Sequence, residues 1–582
     1  MPARFYNRQK IKLIALLLIL LVFALLGRLF YVMIFKSEYY QIKADDLHER
    51  ERAIKAKRGV IYDRNGVALA TNTSVCTVTV IHNQITDAKQ VIEVLSTELD
   101  IDEAQVREKV EKVTSIETIK SNIPKEKGDV IRSYKLDGVN VDEDYARHYP
   151  FDDLASKVIG FTGSDNQGII GLEVIYDEYL KGTKGQILTT TDVRGIEVEN
   201  AAETRINPLN GSDLYTSIDY NIQTYTQQVA DKMMTQKEAQ GVSIILMDPQ
   251  NGEILAMVNS PEFDLNEPYT LNIDVDENSM ENFNDLLNQM WRNDSINDTY
   301  EPGSTFKIIT STAALEEGLV SLSETFSCPG FRVVEDRRIR CHKTTGHGSE
   351  TFVEGFMNSC NPVFMDIGAR VGIEKLYQYF DKLGLFNKTG VDLPGESGSI
   401  MHQVDNVGAV ELATVSFGQS FQITPLQLLV AASAIVNGGD LVTPHFGMKV
   451  VNEAKDTVNE LSFETEKNVV SKETSATMKE LLELVVSEGT GKNAYIEGYS
   501  IGGKTATSQK LPRSEHKYIA SFIGFAPADD PKIIGIVLID EPVGTYYGGT
   551  IAAPVMREIF ENVLPYMGIE RAVTVESEES LP

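Results

Sequence analysis

The sequence predicts an α+β protein tethered by one apolar helix, and three observations carry that prediction. Leu13 to Gly27 is an uncharged apolar run that Leu29 to Phe35 extends. Two β-rich pairs lie far apart in the chain: Val242 to Met247 with Glu253 to Val258, and Tyr518 to Ala526 with Lys532 to Asp540. Each pair flanks a five-residue polar turn, Asp248-Pro249-Gln250-Asn251-Gly252 and Pro527-Ala528-Asp529-Asp530-Pro531, which reads as a hairpin. Between them helical periodicity recurs at 304–317, 351–358, 374–383, 424–436 and 476–487. Strands, a helical middle and strands again predict a sheet closed by segments distant in sequence.

The anchor comes first. Arg4, Arg8, Lys10 and Lys12 precede the apolar run with no acidic residue, which predicts that residues 1–12 stay in the cytoplasm and 13–35 cross the membrane once. The run is long for a cleaved signal, and no A-x-A site follows it. The expected location is therefore the cell membrane, with the remainder of the chain outside the cytoplasm. Arg28 snorkels or faces a polytopic partner.

Residues 36–205 read as a β-rich linking domain. Tyr39 to Lys57 is charged and predicts a helix. Val60-Ile61-Tyr62 and Val67-Ala68-Leu69 flank Asn65-Gly66, a hairpin signal. Residues 85–135 are polar with helical periodicity. No catalytic constellation occurs here, so the stretch reads as a pedestal. The large domain spans 206–566, and 567–582 form a short acidic tail.

Composition bounds the partners. The chain has 582 residues and a formal charge of −30, enough length for several domains and a substantial core. Such acidity excludes nucleic acid, whose phosphates need clustered Lys and Arg.

The chemistry is carried by Glu301-Pro302-Gly303-Ser304-Thr305-Phe306-Lys307. Pro302 and Gly303 break the chain, and Ile308, Ile309, Thr312, Ala313 and Leu315 then follow helical spacing to Gly318. Ser304 is thus placed in a first helical turn, where free N–H groups favour an anion. Lys307 lies on the same face. A serine hydroxyl becomes a nucleophile when a base takes its proton, and a lysine serves if burial lowers its pKa. Two further segments complete the pattern. Ser359-Cys360-Asn361 follows 55 residues after Ser304, and Lys504-Thr505-Ala506-Thr507 follows 200 residues after it. A second hydroxyl and an amide can relay protons. A lysine and threonine on an edge strand can hold a carboxylate while the strand pairs with a peptide.

Ser-x-x-Lys, Ser-x-Asn and Lys-Thr in this order form a known signature of penicillin-binding proteins and class A β-lactamases. The chain closely resembles the class B penicillin-binding proteins, the monofunctional peptidoglycan transpeptidases. Further stretches carry the likeness: Gly27-Arg28-Leu29-Phe30, Arg58-Gly59-Val60-Ile61-Tyr62-Asp63-Arg64-Asn65-Gly66, Asp392-Leu393-Pro394-Gly395-Glu396, Phe417-Gly418-Gln419 and Tyr547-Gly548-Gly549 before Ala553-Pro554-Val555. The resemblance implies a dimerisation-like pedestal and a penicillin-binding, serine β-lactamase-like transpeptidase domain. It implies Ser304 as the acylated nucleophile and Lys307 as its base. Ser359 and Asn361 shuttle protons and bind the stem peptide, and Lys504, Thr505 and Thr507 bind substrate. The N–H groups of Ser304 and Thr507 form the oxyanion hole. The reaction implied joins stem peptides of lipid II-derived glycan strands with release of D-alanine. β-Lactams acylate the same serine, and a polytopic glycosyltransferase is the implied partner. Cys341-His342 and His347-Gly348 lean toward the division and sporulation branch. Alternatives from the same motifs are a membrane-anchored D,D-carboxypeptidase or β-lactamase, and a weakened cell-wall scaffold or β-lactam sensor.

The family has glycine after Lys-Thr, where this chain has Ala506. One methyl group is expected to narrow the groove or reshape the antibiotic profile without abolishing acylation. The chemistry needs no cofactor, but Cys328, Cys341, His347 and Cys360 form a candidate structural zinc site. His342 is the alternative fourth ligand, and a Cys328–Cys341 disulfide or free thiols are the competing readings. Cys76 reads as a core residue.

Overall fold

The computed structural model describes residues 3–37, 49–114, 116–190, 204–273 and 282–572. The chain forms two units, each assembled from separated segments. One comprises Met1–Lys57, Thr73–Ala146 and Gly182–Asn210; the other comprises Arg58–Asn72, Arg147–Lys181 and Gly211–Pro582. Parts of the 36–205 stretch therefore fold with the large domain's chain.

In the first unit, the helix Ala3–Phe30 runs into a π-turn at Tyr31–Phe35. The apolar side chains from Ile11 to Phe35 are almost all exposed, and the helical span Arg8–Phe35 is long and apolar enough to cross a membrane. Glu49–Ile54 is a strand, in contrast to the predicted helix; residues 38–48 lie outside the described residues. Its backbone pairs antiparallel with Gly185–Thr190, and that ladder overrides the helix propensity of its charged residues. The core forms where Val75–Val80 pair with Glu117–Pro124 beneath Ala88–Leu99, whose Val91, Ile92, Leu95 and Leu99 are buried. Asp87 caps that helix by accepting from Gln90 N at 3.1 Å. Cys76 lies in this core.

In the second unit, the predicted hairpin pairs Ile61 with Ala70 and Tyr62 with Ala68. Beside it, Arg58 is buried, with Nε donating to Glu173 at 2.6 Å and Nη1 to Asp177 at 2.7 Å. Arg147 Nε donates to the other Glu173 oxygen at 2.6 Å. Buried charges endure only when paired in this way, which gives Arg58 and Glu173 a structural role.

The main sheet has five antiparallel strands. Ile254–Ser260, Gly241–Met247, Ile533–Asp540, Tyr518–Ala526 and Gly502–Gln509 follow one another across it. The two predicted hairpins thus meet at Ile533–Asp540, which pairs with Gly241–Met247 in register Ile536↔Ile245. Alternating side chains feed two cores. Val242, Ile244 and Leu246 pack with the helices Tyr220–Lys237 and Gly548–Tyr566. Ile245, Met247 and Ile536 pack into the core that holds the helices Lys307–Glu316, Asn361–Val371 and Pro425–Val436. The last is buried along its whole length.

Candidate active site

A backbone constraint sets the Ser304 segment. Gly303 has φ +60°, and a β-carbon there would lie 2.5 Å from Ser508 Oγ and 3.5 Å from the Ala506 methyl. Only glycine meets both conditions without strain. Gly303 N donates to Gly418 O at 2.8 Å, and Thr305 Oγ1 donates to Pro302 O at 2.7 Å. Phe306 is buried between Phe380 and Phe421, with ring centroids 5.0 and 4.6 Å away. These contacts fix a 3-10 turn, Gly303–Phe306, that leads directly into the helix Lys307–Glu316. Ser304 is half-buried, and its hydroxyl makes no hydrogen bond among the described residues.

Lys307 is fully buried. Its Nζ donates to Ser359 O at 2.7 Å, Asn361 Oδ1 at 2.8 Å and Ser359 Oγ at 3.2 Å. Burial lowers its pKa from 10.5 to about 8, opposed by the charges of Cys360, Cys341 and Glu350. Ser359 has φ +54°, a left-handed conformation costing a non-glycine residue about 1–2 kcal/mol. Ser359 N to Phe356 O at 3.1 Å and Cys360 N to Gly355 O at 2.9 Å hold it there. Asn361 is oriented by donating through Nδ2 to Arg340 O at 3.2 Å.

Among the described residues Gly502–Gln509 is an edge strand, paired only with Tyr518–Ala526. Strand alternation puts Lys504, Ala506 and Ser508 on one face, Thr505 and Thr507 on the other. The Lys504 ammonium is fully buried without a hydrogen-bond partner among the described residues and lies 5.8 Å from the centroid of the Phe356 ring. Burial, then the charge of Lys307, pushes its pKa well down. A cation so placed gains most from meeting an anion. Thr505 Oγ1 donates to Thr490 Oγ1 at 3.2 Å, and Thr507 Oγ1 accepts from Gly548 N at 3.0 Å. Gly548 permits this approach, since a β-carbon there would lie 2.0 Å from Ala506 O. Ala506 itself is only 3% exposed, so its methyl is packed beside the Gly303 turn.

The structure thus joins Lys307, Ser359 and Asn361 directly by hydrogen bonds and sets the Ser304 turn against the strand carrying Lys504. Three participants lacked a signal of their own in the sequence. Arg513 Nη2 donates to both oxygens of Glu301 at 3.0 and 2.9 Å, tying the chain before Ser304 to the segment after the edge strand. Ser508 presents a sealed hydroxyl to the Gly303 turn, and buried Glu350 adds charge near Lys307.

The ligand atoms of Cys328, Cys341, His347 and Cys360 lie within 4.8 Å of one another. The ladder of Thr325–Cys328 with Gly348–Thr351 sets Cys328 opposite Gly348, one residue from His347. All four cysteines are free thiols, so the Cys328–Cys341 disulfide is not formed. Cys341 is driven toward thiolate and Cys360 toward thiol, each chiefly by the other. His342 Nδ1 is 3.8 Å from Cys341 Sγ but stands outside the four-residue cluster.

Residues 242–561, which contain every catalytic and substrate-binding candidate, match the penicillin-binding protein transpeptidase domain. Residues 53–216 match the penicillin-binding protein dimerisation domain. Stage V sporulation protein D of Bacillus subtilis is 41% identical over 572 residues, covering 97% of this chain and 86% of that protein. A probable peptidoglycan D,D-transpeptidase PenA of Neisseria gonorrhoeae is 28% identical, covering 97% and 94%. Among solved structures, penicillin binding protein 3 of Mycobacterium tuberculosis, complexed with aztreonam, has TM-score 0.68 and 25% identity, covering 90% and 98%. A peptidoglycan synthetase from Bifidobacterium adolescentis shares the fold with TM-score 0.72 at 22% identity, covering 90% and 98%. By these two domains and these relatives, the chain belongs to the class B penicillin-binding proteins.

Proposed function

We propose that the chain is a serine-type peptidoglycan D,D-transpeptidase, anchored in the cell membrane by residues 13–35 with its catalytic domain outside the cytoplasm. The observation that carries this is the Lys307 amine: fully buried, lowered to about 8, and held by Ser359 and Asn361 one turn beyond Ser304. In its neutral form Lys307 takes the Ser304 proton as Oγ attacks the penultimate D-alanine carbonyl of a stem peptide. The N–H groups of Ser304 and Thr507 receive the oxyanion. The C–N bond then breaks, and the leaving D-alanine amine takes a proton through Ser359. An acceptor amine attacks the Ser304 ester, its proton passes back along the same groups, and Ser304 is released with a new amide formed. Lys504 and Thr505 hold the donor's terminal carboxylate, for which the unpartnered Lys504 ammonium is suited. The relative bound to aztreonam supports β-lactam acylation of the same serine. The relative named for stage V of sporulation supports a sporulation or division role. A polytopic glycosyltransferase is the proposed partner in strand synthesis.

The cysteine cluster fits a zinc ion. Three thiols and one imidazole are the donor set of structural zinc, whose sulfurs stand roughly 3.7 Å apart at Zn–S bonds of about 2.3 Å. Cys328, Cys341, His347 and Cys360 would hold the ion, and it would supply a fixed crosslink between the 328–347 segment and the residue after Ser359.

Mass spectrometry of the full chain after labelled penicillin tests the reading. A long-lived adduct on Ser304, absent from Ser304→Ala, is expected. An adduct shed within minutes would make the chain a hydrolase, and no adduct a scaffold. Ser304→Ala leaves stability within about 0.5 kcal/mol, because the hydroxyl has no partner to lose.

A further inference from the structure

The second unit holds a partly open cavity of about 500 Å³, a volume typical of small-molecule sites. None of the seven catalytic and substrate-binding candidates lines it. Its charged lining is mostly closed on itself. Asp540 is paired with Lys510 at 2.8 Å, and Asp298 accepts from Arg292 Nε at 2.7 Å. Two lining groups form no ion pair among the described residues. Lys157 is only 6% exposed, and its ammonium makes no hydrogen bond or ion pair among the described residues, although the buried carboxylates of Glu262 and Asp294 both feel its charge. Unlike the Lys504 ammonium, it is not sealed from solvent, and the cavity is where it opens. Asp294 lines the same cavity without forming an ion pair to Lys157. Its pKa is pushed up to about 6 by burial and by Asp298, with Lys157 acting against them. The walls between are apolar, formed by Leu271, Met290 and Leu538, and Tyr300 adds its ring.

A buried ammonium that makes no hydrogen bond is costly, and the Glu262 and Asp294 carboxylates offset its charge without bonding it. An ammonium and a carboxylate that line one cavity without bonding each other suit a ligand carrying both signs. We propose that this cavity binds a small zwitterion of dipeptide size, its carboxylate on Lys157, its ammonium on Asp294 and its side chains against Leu271, Met290 and Leu538. This site is separate from the groove that takes the reacting stem peptide.

The test uses the full chain in detergent, with Ser304 first acylated by benzylpenicillin so that the groove is closed to peptide. Saturation-transfer NMR and calorimetry follow the dipeptide L-alanyl-L-leucine as probe. Binding in the millimolar range is expected, weakened about tenfold or more by acetylating its amine or amidating its carboxylate. Lys157→Met and Asp294→Asn are each expected to weaken it about as much, with an unchanged benzylpenicillin acylation rate reporting that each variant folds. No binding of the free dipeptide up to about 10 mM, or equal binding of the capped forms, would overturn the proposal. So would affinity within about twofold of the parent in a folded variant of either residue.

Discussion

The sharpest consequence of the Lys307 environment is a pH profile for acylation. Moving this amine from 10.5 to about 8 corresponds to about 3 kcal/mol of disfavoured charge. Burial is the cause, and the sign follows from it: the neutral base predominates above about 8. About a tenth of the molecules carry it at pH 7, half at pH 8 and nine-tenths at pH 9, so the acylation rate constant should rise about tenfold from pH 7 to 9. Stopped-flow labelling of the full chain with a fluorescent penicillin measures this directly. Lys307→Arg, which stays charged throughout, should lose about 10²–10⁴-fold and show no such rise. Stability moves in the same direction. The folded pKa lies below the unfolded one, so the unfolded chain holds more protons between about 8 and 10.5, and this group's penalty fades as pH rises through that window. A flat rate between pH 6.5 and 9, or an inflection near 10.5, would refute Lys307 as the base.

Three further outcomes follow from the same geometry. Ala506→Gly should change penicillin acylation by less than about threefold and cost about 0.5–1 kcal/mol in denaturant unfolding, because the methyl is packed beside the Gly303 turn. Gly303→Ala should cost about 1–2 kcal/mol for its left-handed φ, displace Ser508 Oγ, which the added β-carbon would meet at 2.5 Å, and slow acylation in the same stopped-flow assay. Elemental analysis of chain purified under reducing, chelator-free conditions should find about one zinc per molecule, falling in Cys328→Ser; less than about a tenth of an equivalent would end the zinc reading.

The local alphabet of the fold was legible in the sequence, because short-range physics writes it. Leu13 to Phe35 must be helical where no water can satisfy its backbone, and the turns at 248–252 and 527–531 left little choice but hairpins. Ser304 and Lys307 share a face through helical spacing alone, and the order of Ser304, Ser359 and Lys504 was enough to propose a chemistry for them. Contacts between distant segments were not legible. Nothing near Glu49 shows that its charged run will pair with Gly185–Thr190 as a strand. Nothing near Arg513 points to Glu301, 212 residues away. The Lys307 pKa, the enclosure of Lys504 and the direction of the Ala506 methyl depend on what surrounds each group. Burial and charge at a point are sums over neighbours that only the folded chain brings together, and so the sequence alone named the candidate groups while tertiary structure decided their surroundings.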